Sequence, residues 1–148
     1  MNHEEIRHKF EQANTFFATN ETRSHAFRRS CLEALEGGIR RREEELYLAL
    51  KKDLNKSEHE AFITEIGLVY GELSYIRKRL RRWMRPKKVR PSIGQMPSSV
   101  RVYPEPYGIC LIMSPWNYPV LLTLSPLIGA IAAGNVCLLK PSAYSPHT

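Results

Sequence analysis

Asn117 and Lys140 are the two polar residues best placed to do chemistry in this chain, because of the stretch that delivers them. From Pro106 to Leu139 the sequence is uncharged and mostly apolar, so an amide within it and an ammonium closing it stand apart from their neighbours. Each follows a short apolar run of strand length. In open α/β sheets ligands bind beyond the carboxyl ends of the strands, which makes both side chains candidates for holding a ligand. Two plainer readings stay open: an Asn that caps the following helix, and a Lys that is simply the first solvated residue after a buried strand. The other reactive groups are thiols. Cys110 and Cys137 fall inside apolar strands, where a thiol behaves as a small buried hydrophobe with a raised pKa. Cys31 follows Arg28 and Arg29, which can lower its pKa, yet no His or Glu is placed as its base. All three are read as inert.

The elements that must position these groups follow from punctuation. The apolar run exceeds the roughly 18 residues that suggest a membrane span. However, Pro115, Asn117, Pro119, Pro126 and the Gly134-Asn135 pair cut it into pieces too short for one. What remains is a strand over residues 109–113, a helix over about 120–133 and a strand over 136–139. Continuous apolar strands of this kind belong to parallel sheets covered on both faces. Gly134 suits the left-handed residue that ends the helix. Pro126 allows two starts: a helix that begins near Pro119 and bends, or one capped by Ser125 with Pro126 as its first residue.

Upstream, residues 4–17 read as a first helix, broken by Thr19-Asn-Glu-Thr22, with Thr22 or Ser24 capping the next. Phe27, Leu32, Leu35, Ile39, Leu46 and Leu50 form one buried stripe, with a bend or division expected at Gly37-Gly38. Ser57 and Glu60 form a capping-box pattern that opens a third helix, carrying Phe62, Ile66, Val69, Leu73 and Ile76. Pro86 ends the helical region. Residues 86–97 read as a linker, and residues 99–103 alternate as a strand.

Four motifs in order carry a resemblance: Glu105-Pro-Tyr-Gly-Ile, Pro115-Trp-Asn-Tyr-Pro119, Gly129-Ala-Ile-Ala-Ala-Gly-Asn135 and Leu139-Lys-Pro-Ser142. Their spacing resembles the aldehyde dehydrogenase superfamily, closest to its class 3 type. The likeness reaches back through Trp83, Glu65-Ile66 and Asp53-Leu-Asn-Lys-Ser57, so it covers nearly the whole chain. It implies an α/β fold in which N-terminal helices (residues 1–91) pack on the first strand–helix–strand unit of a Rossmann-like dinucleotide domain (residues 92–148). It implies Asn117 as the oxyanion-hole amide, since thiolate attack on an aldehyde builds charge on oxygen and a preorganised N–H donor stabilises it. Tyr118 would lie near the aldehyde. Pro115 and Trp116 would line the cofactor cleft, and Lys140, Pro141 and Ser142 would lie against the adenosine ribose of NAD or NADP. The family commonly has a Glu after Lys-Pro-Ser, and this chain has Ala143. Without that carboxylate the ribose contact weakens and repulsion of a 2′-phosphate disappears, so NADP is expected to be tolerated.

The resemblance places the nucleophilic cysteine and the general-base glutamate beyond Thr148. The complete protein is therefore expected to oxidise a small-molecule aldehyde to an acid through a cysteine thiohemiacetal, as a homodimer assembled partly through the strand at 99–103. This chain alone would be inactive. A non-catalytic interaction module with a basic surface is the alternative.

Composition bounds the rest. The length suits one ordinary domain, and scattered cysteines make neither a disulfide framework nor a metal site. No metal is expected. The N-terminus lacks signal or transit character, which leaves the cytoplasm as the expected location. Much of the net charge of +7 falls in residues 77–90. Leu80, Trp83 and Met84 recur there at helical spacing, so the basic side chains are read as a solvated face rather than a nucleic-acid site. Membrane association is left open.

Overall fold

The stripe of aliphatic residues on the long helices finds its partner in the apolar run. In a computed structural model describing residues 2–148, Leu32 and Ile39 meet Val69, Leu73, Ile76 and Leu80, and all of them close on Ile128 and Ala132. A second cluster joins Leu50, Ala61, Ile66 and Val120. The helix carrying Val120, Ile128 and Ala132 thus belongs to both.

Helix α1 (His3–Ala18) opens with a reciprocal cap: Asn2 Oδ1 accepts the Glu5 N–H at 2.8 Å, and the Glu5 carboxylate accepts the Asn2 N–H at 3.1 Å. After a short turn, Ser24 caps α2 (His25–Arg41) by accepting the Phe27 N–H, and Thr22 is buried instead of capping. Helix α3 (Glu43–Leu54) follows. The division falls at Arg42 rather than at Gly37-Gly38. The break separates Ile39, in the first cluster, from Leu50, in the second. The glycines, each costing about 1 kcal/mol in a helix, stay helical.

Ser57 accepts the Glu60 N–H and starts α4 (Glu58–Ala61), which runs through a π turn (Phe62–Ile66) into α5 (Gly67–Trp83). Pro86 lies just beyond its end. Strand β1 (Lys87–Val89) then pairs antiparallel with β2 (Val100–Val102). The sequence reads β1 as part of a linker; its residues are all exposed, so no burial pattern marks it and only backbone pairing defines it.

Strand β3 (Ile109–Met113), helix α6 (Pro119–Ala133) and strand β4 (Val136–Lys140) form the expected crossover unit. β3 and β4 are parallel, in register from Ile109↔Val136 to Met113↔Lys140. Pro119 occupies the first turn of α6, where a missing N–H costs nothing, and Pro126 lies inside the helix. Ser125 therefore does not cap; its hydroxyl donates to Glu72 Oε2 at 2.9 Å. Gly134 ends the helix at φ +89°. The expected cover on both sheet faces is incomplete: Leu111 and Met113 are 63% and 68% exposed. A two-stranded sheet offers α6 and α1 only part of its surface to cover, and the ends towards Met113 and Lys140 stay open.

Candidate functional site

The carboxyl ends of β3 and β4 are tied together. Met113 stands opposite Lys140, and the Ser114 N–H donates to the Lys140 carbonyl oxygen at 3.2 Å. The loop 114–118 and the loop after Lys140 consequently leave the sheet from one edge. Every site residue expected from sequence lies on these two loops or at the strand end: Pro115, Trp116, Asn117 and Tyr118 on one side, Lys140, Pro141 and Ser142 on the other.

Asn117 is exposed, and its amide makes no hydrogen bond among the described residues. It does not cap α6. The residue in the capping position is Tyr118, whose side chain makes no such bond. The free N–H groups of Val120 and Leu121 go instead to Glu65 Oε2, at 2.9 and 3.1 Å. A carboxylate from a distant helix fills the role that the plainer reading gave to Asn117, and the amide is left facing outward. Trp116 is half-exposed beside it. Tyr118 lies under the Lys56 ammonium, with Nζ 4.1 Å from the ring centroid.

On the other loop, the Lys140 side chain is exposed and makes no ion pair among the described residues. Ser142 Oγ accepts the Tyr144 N–H at 3.1 Å, which shapes the turn and leaves its hydroxyl proton to donate elsewhere. The next turn is held by Asp53, whose carboxylate accepts the His147 and Thr148 N–H groups and the Thr148 hydroxyl. Burial pushes the Asp53 carboxyl up, but these hydrogen bonds outweigh it and leave it below its ordinary value. At the start of the first loop, Ser114 Oγ is buried with no partner among the described residues.

Glu65 and Lys56 are the residues that sequence reasoning missed. Both lie in segments that carry the resemblance, yet neither received a role there. The available signal was a carboxylate adjoining Ile66 on a helix otherwise packing aliphatic residues.

The cysteines are free thiols. Burial, followed by the neighbouring Cys110, pushes Cys137 up to about 11. Cys31 is also raised, chiefly by burial, and not lowered by its arginines. Arg28 is turned away, donating to the Thr22 and Ala132 carbonyl oxygens at 2.6 and 3.0 Å, and Arg29 pairs with Glu33. Among the described residues no group of His, Cys, Asp and Glu is arranged to hold a metal, and no helix is long and apolar enough to cross a membrane. In the basic segment, Arg77 pairs with Glu33 and Glu36, Arg79 stacks on Tyr75, and Leu80 is buried beneath them.

The model of the aldehyde dehydrogenase family matches residues 1–148. An aldehyde dehydrogenase of Craterostigma plantagineum is 43% identical over 132 residues, which cover 89% of this chain and 28% of that protein. Aldehyde dehydrogenase family 3 member B1 of Mus musculus is 41% identical, with 95% of this chain and 30% of that protein covered. The substrate-bound structure of Staphylococcus aureus AldH superposes with a TM-score of 0.94 at 39% identity, covering 99% of this chain and 32% of that one. The chain therefore spans less than a third of the length of each of these proteins.

Proposed function

The chain belongs to the aldehyde dehydrogenase family, and on that premise we propose that it supplies the oxyanion donor and the first cofactor-binding unit of an enzyme that oxidises an aldehyde to a carboxylic acid. The observation that carries this reading is the outward-facing Asn117 amide, relieved of capping by Glu65 at the carboxyl edge of parallel strands.

The chemistry follows from that placement. A thiolate adds to the aldehyde carbon, the carbon–oxygen π bond breaks, and negative charge gathers on oxygen within reach of the Asn117 N–H donors. A donor held in place by its turn would stabilise that charge without reorganising. A nicotinamide dinucleotide held by Lys140 and Ser142 would supply the acceptor for the hydride leaving that carbon, and the thioester left behind would be released as the acid by water. Membership of the family implies a nucleophilic cysteine outside these residues, and burial of Cys137 and Cys31 disfavours their thiolates.

The edge suits a dinucleotide. Lys140 and Ser142 offer donors to the adenosine ribose, and Pro115, Trp116 and Pro141 supply apolar walls. Tyr118 would flank the aldehyde. Ala143 presents no charge against a 2′-phosphate, so both NAD and NADP are accepted. We assign residues 1–91 as a helical layer packed on the cofactor unit of residues 92–148. The exposed β1–β2 ribbon is assigned to a homodimer contact, and three scattered free thiols favour a reducing compartment such as the cytoplasm.

The test is single-turnover acylation by the full-length enzyme carrying this chain, with either cofactor and with Asn117→Ala. Loss of one oxyanion donor should slow acylation by about 10²–10³-fold, with nucleophile titration and cofactor affinity unchanged. A destabilised variant that acylates normally would refute the oxyanion assignment. An enzyme that binds cofactor yet never reduces it with any aldehyde would refute the function.

A further inference from the structure

Glu65 is completely buried, an expensive place for a carboxylate unless every lone pair is used. Its two oxygens are divided between two tasks. Oε1 accepts from Lys56 Nζ at 2.5 Å, and Oε2 accepts from Val120 and Leu121. Lys56 is buried as well, and its ammonium sits over the ring of Tyr118. One carboxylate thus grips the first turn of α6 through its backbone and steers a cation onto the residue just before that turn. Glu65 reaches this position from the π turn Phe62–Ile66, a helix irregularity that tends to accompany functional sites. Gly67 closes that turn by donating to the Phe62 carbonyl oxygen, which a Cβ at Gly67 would approach to 2.9 Å.

Stability alone does not call for this arrangement. A neutral side chain at the capping position would satisfy the same N–H groups, and a well-packed apolar pair is commonly as stable as a buried ion pair. What the pair adds is position. We propose that Glu65, held by Lys56, is a positioning residue for the Asn117–Tyr118 turn, fixing it from behind so that the Asn117 amide meets the developing oxyanion. This rests on the aldehyde-oxidising reading given above.

Two neutral pairs built into the full-length enzyme separate positioning from stability. Lys56→Met with Glu65→Leu removes both charges and the acceptor for Val120 and Leu121. Lys56→Met with Glu65→Gln removes the charges and keeps an acceptor. The readout is the acylation rate per titrated thiol, which a purely structural defect leaves unchanged while lowering the melting temperature or the active fraction. A turn displaced by about an ångström should cost the Leu pair about 10²-fold, and the Gln pair should recover to within about threefold of wild type. In the Asn117→Ala background the Leu pair should cost less than about twofold more, because the residue through which it acts is gone. A wild-type rate in the Leu pair, or an equal loss in both backgrounds, overturns the proposal. If the wild-type enzyme reduces neither cofactor with any aldehyde, the functional reading fails by itself. Amide exchange at Val120 and Leu121 then judges Glu65: faster exchange in the Leu pair than in the Gln pair supports its grip on the turn, and equal exchange overturns it.

Discussion

Gly134→Ala should destabilise the protein well beyond the usual cost of a surface glycine, and most of that cost should vanish when Arg28 is removed. Gly134 sits at φ +89°, where an L side chain is strained by roughly 1–2 kcal/mol. A Cβ there would also run into the Arg28 guanidinium, approaching Cζ to 2.5 Å and Nε to 2.8 Å. Arg28 has little freedom to yield, since it is buried and donates to Thr22 and Ala132 carbonyl oxygens. Each such charge-assisted bond is worth about 1.5–3 kcal/mol. If only the Ala132 bond breaks, the total is about 2.5–5 kcal/mol; if both break, it is about 4–8 kcal/mol. A domain has only about 5–15 kcal/mol in hand, so the larger outcome approaches unfolding. The assay is a double-mutant cycle by denaturant titration. With Arg28→Ala in place, Gly134→Ala should cost only the backbone strain, about 1–2 kcal/mol. Equal costs in both backgrounds, within about 0.5 kcal/mol, would show that the guanidinium does not govern this corner.

Two further predictions concern the cofactor edge and the strand thiol. Ala143→Glu should move preference towards NAD, because a carboxylate facing a 2′-phosphate is repulsive; steady-state kinetics with both cofactors would decide, and an enzyme that already rejects NADP would contradict the premise. Cys137 is held at about 11 against an ordinary 9.0, so the folded state keeps a proton that the unfolded chain releases. Its contribution to stability is full below pH 9.0 and is lost as pH rises towards about 11. Cys137→Ala should flatten that limb of the stability–pH curve, and an unchanged slope would count against the burial argument.

The crossover unit was legible because its boundaries are local events. Pro119 starts a helix, Gly134 ends one, and the apolar runs beside them are too short for anything but strands. The candidate loops followed directly, since a residue after a strand end is placed by the strand. Other features depend on partners far away in the chain. The Glu65 carboxylate meets N–H groups on α6, and no window of sequence contains both. Arg28 was read as a neighbour of Cys31, but its guanidinium is drawn to the Ala132 carbonyl oxygen instead. The break at Arg42 is marked by no glycine or proline, and β1 is a wet strand defined only by its ladder.

Helix α6 has a consequence for motion. Its residues are counted in both hydrophobic clusters while it also lies against β3 and β4, so the site edge and the helical layer are one mechanical body. Rocking the edge would have to shear both clusters at once. The β1–β2 ribbon, in contrast, contributes no residue to either cluster. It can swing as a lever on the segments around Pro86 and Pro104, and its amides should be the first to lose exchange protection while those of α6 hold out nearly to global unfolding.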